Sequence, residues 1–164
     1  MIGRILHHFS NVLRVLLGIL IGALAVPVAM QVISRYTGLI PTFLWTEELS
    51  TFLFVWAVMI GSMVAVWDGA HFDVQVIPDA TSPLGILLQK GVVLALIAAF
   101  ALVFAWYGLD YAAFGANQNS VMMRANLAIT YVSVPIAGVV WTVFALYRLW
   151  EVVQTYRSTK GRTA

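Results

Sequence analysis

The chain contains no cysteine, which excludes disulfides, iron–sulfur clusters and thiolate metal sites while leaving the redox compartment open. Charge is nearly as scarce. Only 10% of the 164 residues are Asp, Glu, Lys or Arg, against roughly 25% in an ordinary soluble domain. What takes its place is apolar: 62% of the residues are hydrophobic. A chain this short cannot hide that much apolar surface in its own core, because small domains leave much of their surface in contact with solvent. Lipid is the solvent that fits. Since backbone polar groups must be satisfied internally in lipid, the expected fold is an all-α integral membrane protein, and the sequence carries neither a repeat nor a low-complexity tract.

Other absences narrow the function. The net charge of +2 is carried mainly near the chain ends, by Arg4, Arg14, Arg148, Arg157, Lys160 and Arg162. These residues flank apolar runs and form no folded basic face, so nucleic acid is not an expected partner. No acid, base or histidine falls at the middle of an apolar run, which argues against an internal proton relay or ion site of the kind a pump or channel carries. His7 and His8 precede the first run and cannot serve as inward-facing haem ligands.

Four stretches meet the length of about 20 mostly apolar residues that a span needs: 12–33, 49–67, 91–109 and 127–147. They form one transmembrane domain over 1–164, joined by short connections at 34–48, 68–90 and 110–126. Trp45 and Trp67 bracket the second span as interface markers; their separation corresponds to about 33 Å of helix, close to a hydrocarbon core of about 30 Å. The first span resembles a signal peptide at Ala23-Leu24-Ala25, but apolar sequence continues through Ile33, so a retained helix is expected. Four spans place both termini and the 68–90 loop on one side, with Arg4, Arg14, Lys90, Arg148, Arg157, Lys160 and Arg162; only Arg35 and Arg124 fall on the other. The basic side is the cytoplasm, and the basic tail faces anionic lipid there.

Pro27 and Pro135 lie in the first and fourth spans, where each removes a helix hydrogen bond and should kink its helix. Gly18 and Gly22 form a GxxxG pair suited to close helix packing. Ser82-Pro83 reads as an N-cap followed by a first-turn proline, opening a helix that runs to about residue 114 and measures ~48 Å. That is too long for one perpendicular span.

The polar residues concentrate at the outer interface. "LWTEELSTFLFVW" (44–56) puts Glu47 and Glu48 at the head of the second span. Thr46 is a credible N-cap there, and acids in a first turn complement the helix dipole. Adjacent residues on a helix point ~100° apart, so one glutamate can address its own chain while the other addresses a different surface. Arg35, Asp110 and Arg124 share that level, where ionisable groups usually pair; Arg35 with one of the glutamates and Arg124 with Asp110 would tie loops to helices, the sequence itself leaving open which pairs form. In "WDGAHFDVQVIPD" (67–79), His71, Asp73 and Asp68 fall short of the ligand set of a zinc site. Asp68-Gly69 reads as a turn.

These features together resemble the small membrane subunit, DctQ-like, of the tripartite ATP-independent periplasmic (TRAP) transporters. The resemblance rests on residues 31–62 and 68–79: Arg35-Tyr36, then Trp45-x-Glu47-Glu48 heading a helix, then Trp56 and Gly61, with His71 before an apolar loop reaching Pro78, and Pro135 early in the last helix. The stretch 115–130 is less typical. The resemblance implies a non-enzymatic subunit without cofactor, multi-pass in a bacterial or archaeal cytoplasmic membrane. It would scaffold a large DctM-like elevator subunit that holds the sodium and substrate sites, for uptake of an organic acid delivered by a periplasmic binding protein. Arg35, Tyr36, Trp45, Glu47, Glu48, Trp56, Gly61, His71, Asp110 and Arg124 are its structural or partner-interface candidates, and the end at Ala164 is that expected of an unfused subunit. The alternative, a membrane anchor of a redox enzyme complex, calls for the inward-facing histidines that this sequence lacks. A self-sufficient channel calls for polar groups at mid-membrane depth, and Gly61, Ser62 and Thr130 are too few.

Overall fold

Apolar runs whose backbone must bond to itself become helices, and the computed structural model, which describes residues 2–38, 41, 43–69 and 82–160, has no strand among them. The elements are α1 (Ile2–Thr37), α2 (Trp45–Asp68), α3 (Pro83–Ala116), α4 (Ala128–Tyr131) and α5 (Ser133–Lys160). Four segments are long and apolar enough to cross a membrane: α1, α2, α3 from Leu84, and α4 with α5 through Ser158. The chain is a multi-pass membrane protein.

The helices lie as a row. α1 packs on α2, α2 on α5, and α5 on α3. The buried core sits in the middle of the row, where Leu13, Ile60, Met63, Val64, Ala137 and Phe144 meet. Outer flanks stay bare, with Leu96 and Trp106 of α3 at 65% and 73% exposure. In lipid such a surface costs nothing, because the acyl chains are as apolar as the side chains.

The α5–α3 seam is the closest in the row. A Cβ built on Gly138 would come within 2.5 Å of the Ala105 backbone nitrogen, and one on Gly108 within 2.9 Å of that of Pro135. Small residues let these two backbones approach. Gly18 and Gly22 do not act this way within the chain: neither has an atom within 4 Å of its built Cβ, because the row turns that face of α1 away from α2.

Helix boundaries follow local chemistry. Ser82 caps α3, accepting a bond from the Gly85 N–H at 3.1 Å, with Pro83 at the first position. α3 then runs 34 residues, ~51 Å, and overshoots a span as its cap and length required. α2 ends at Gly69, whose φ of 72° is left-handed backbone that costs glycine little. Thr46 is not the cap of α2. Leu44 holds that position without a side-chain bond, while the Thr46 hydroxyl, inside the helix, donates to the Phe43 carbonyl at 2.6 Å. The first turn closes through backbone bonds to Phe43 and Leu44 instead. α1 is helical through Pro27, and the fourth span breaks at Val132, between α4 and α5, three residues before Pro135.

Candidate assembly sites at the two ends of the row

The antiparallel row has a hairpin end, with the starts of α2 and α4, and a terminus end, with the start of α1 and the close of α2. The hairpin end is built around Glu48. Residues 118–127 fold back on themselves: the Ser120 N–H donates to the Ala125 carbonyl at 2.8 Å and the Leu127 N–H to that of Gln118 at 3.0 Å, flanking an isolated bridge between Asn119 and Asn126. Asn126 secures the return, its amide donating to the Ala116 carbonyl at 2.9 Å and its oxygen accepting from the Ala128 N–H at 2.8 Å. Arg124 closes the tip in a left-handed conformation, φ 52°.

This fold aims successive backbone N–H groups at one point, an arrangement that suits an anion. The anion is Glu48. Its Oε1 accepts from the N–H groups of Val121 at 3.1 Å and Met122 at 3.0 Å. Its Oε2 accepts from Met123 at 2.8 Å and from the Ser120 hydroxyl. Bonds to an ionised acceptor are roughly twice as strong as neutral ones, so a single side chain of α2 fixes the hairpin tip. Two neighbouring bonds extend the lock: Trp56 donates its indole N–H to the Ile129 carbonyl at 3.0 Å, and Gln31 of α1 donates to the Ser50 hydroxyl of α2 at 3.0 Å.

Glu47 points elsewhere and is exposed, as are Arg35, Asp110 and Arg124. Of the pairings the sequence left open, neither Arg35 with a glutamate nor Arg124 with Asp110 forms an ion pair; among the described residues the one ion pair is Arg14 with Asp68. Glu48 is committed to the hairpin, and Arg124 is exposed at the hairpin tip. Tyr36 is 86% and Trp45 41% exposed. Gly61 faces Leu17 where α2 meets α1: a Cβ built on it would lie 3.7 Å from the Leu17 side chain. His71, with Asp73 and Pro78, lies outside the described residues.

The terminus end has a groove of about 380 Å³ between α1, α2 and α5, lined by His7, Arg14, Trp67, Asp68, Arg148 and Glu151, among others. Aromatic rings form its wall: Trp67 lies 6.0 Å from Tyr147 in a stacked arrangement and 6.3 Å from His7. No cluster of three or more His, Asp or Glu able to hold a metal occurs among the described residues.

The hairpin lock was not read from the sequence, although a signal was present. Asn117, Asn119, Ser120 and Asn126 are residues whose side chains bond to nearby backbone and favour turns. What the sequence hides is that a glutamate some seventy residues earlier supplies the anion.

The model of the family described as "Tripartite ATP-independent periplasmic transporters, DctQ component" matches residues 24–155. A Haemophilus influenzae protein provisionally named a TRAP transporter small permease protein is similar, with 26% identity over 151 residues, covering 89% of this chain and 91% of the relative.

Proposed function

This chain belongs to the DctQ component family of the tripartite ATP-independent periplasmic transporters, and from that premise we propose that it is the structural subunit of a sodium-driven organic-acid importer. It scaffolds a larger, DctM-like elevator subunit, to which a periplasmic binding protein delivers the substrate. The observation that carries this reading is the family match itself, which begins within α1, ends within α5 and so takes in at least part of each of the four spans. The charge pattern supports it. Ionisable side chains sit near the span ends, where they can orient helices but cannot bind an ion at mid-membrane depth. In this reading Glu48 orders the outer loop from within, and exposed Glu47, Arg35, Tyr36 and Trp45 are left for the partner.

The termini are cytoplasmic in this reading. Reporter fusions at Gly38 and Asn119 score as periplasmic and a fusion at Gly69 as cytoplasmic; a reversed pattern contradicts the orientation. Tagged copurification tests the assembly. A large, very hydrophobic membrane protein coexpressed from the neighbouring genes is expected to be recovered with the chain in fixed ratio. Recovery of the chain alone under gentle solubilisation overturns the scaffold role.

A further inference from the structure

The terminus-end groove contains a charge arrangement that its own residues do not use up. Arg14 is paired with Asp68. Arg148 and Glu151, three residues apart on α5, both line the groove, and that spacing ordinarily lets opposite charges meet. They do not form an ion pair among the described residues. Arg148 instead extends over Gly69 at the close of α2, and Glu151 lines the same groove together with Tyr147. One groove thus presents a guanidinium and a carboxylate held apart, beside a wall of stacked aromatic rings.

Depth decides what can enter. Trp67 marks a membrane–water interface, and Arg14, Asp68, Arg148 and Glu151 share its level. Phospholipid headgroups occupy that layer. Basic grooves between helices at this level hold anionic headgroups, but here two carboxylates, Asp68 and Glu151, stand beside the two arginines and repel a net anion. A headgroup with both charges satisfies both sides. We propose that this groove binds the headgroup of a zwitterionic phospholipid, its phosphate on Arg148 and Arg14 and its primary ammonium on Glu151, with the acyl chains running down the apolar flank of the row. The inference rests on membrane insertion and not on the transport reading.

The test is native mass spectrometry of the full-length chain in delipidating detergent, titrated separately with phosphatidylethanolamine and phosphatidylglycerol. Wild-type protein is expected to retain the zwitterionic lipid over the anionic one by about tenfold, the factor that one additional charge-assisted bond supplies. Arg148→Gln should weaken both lipids. Glu151→Gln should abolish or invert the preference by admitting phosphatidylglycerol, a gain that misfolding cannot imitate. Soluble glycerophosphoethanolamine in excess should leave the bound lipid in place. Equal retention of the two lipids by wild type, an unchanged preference in Glu151→Gln, or full displacement by the soluble ester would each overturn the proposal.

Discussion

The two ends of the row solve the same problem with different chemistry. At the hairpin end a single carboxylate, Glu48, gathers backbone N–H groups from residues 121–123 together with the Ser120 hydroxyl. At the terminus end the helices are joined by side-chain contacts: a half-exposed Arg14–Asp68 pair, stacked rings, and Arg148 laid over Gly69. A loop without a core of its own must bond its backbone to something, and here one acceptor serves several donors. Helix ends already held by neighbouring packing lose less when any one contact goes. The hairpin end is therefore the sensitive one.

Glu48→Gln should break that contrast most visibly. The neutral amide offers one carbonyl oxygen where two carboxylate oxygens stood, and turns an N–H₂ group toward backbone donors. Amide exchange at Val121, Met122 and Met123 should accelerate by about tenfold or more, with α3 and α5 unchanged. Glu47→Gln, at an exposed position, should leave that exchange as it was and lower recovery of the large subunit. The two glutamates then separate an internal lock from a partner contact. Identical exchange in both variants would remove the distinction.

At the terminus end Gly69→Ala comes next. An L-residue in left-handed backbone costs about 1–2 kcal/mol, and the added methyl must also displace Arg148, whose guanidinium crowds that site. Thermal unfolding in detergent should shift down by a few degrees. Asp68→Asn is milder. It removes a pair whose side chains are 43% and 41% exposed, and such pairs are worth about 0–1 kcal/mol. Gly61→Ala should be silent in the same assay, since its new methyl meets Leu17 at an ordinary 3.7 Å. A large loss from Asp68→Asn alongside a small response to Glu48→Gln would invert the ranking of the two ends.

The sequence was legible where physics is local. Span number, the Ser82 cap with Pro83, the overlong third helix and the turn at Gly69 all follow from runs, caps and backbone preferences within a few residues. It was less legible where a choice among partners was needed. Thr46 has the chemistry of an N-cap, but its hydroxyl turns back to Phe43 once the helix opens earlier. Gly18 and Gly22 have the spacing of a packing motif, yet the closest seam runs through Gly108 and Gly138, whose neighbours are set by how the row is ordered. One of the two glutamates was a candidate partner for Arg35 because charges attract, but Glu48 is taken up elsewhere. Converging backbone donors at 120–123 compete for the same carboxylate, and that convergence depends on a turn at the far end of α3.

The central claim is that this chain supports transport without performing it, and reconstitution tests it most directly. Liposomes carrying a sodium gradient are prepared with the chain alone, with the large subunit alone, and with both, each supplied with the binding protein and a panel of labelled organic acids. Uptake is expected only when both subunits are present. Sodium-dependent uptake by the chain alone, or undiminished uptake by the large subunit without it, would contradict the account.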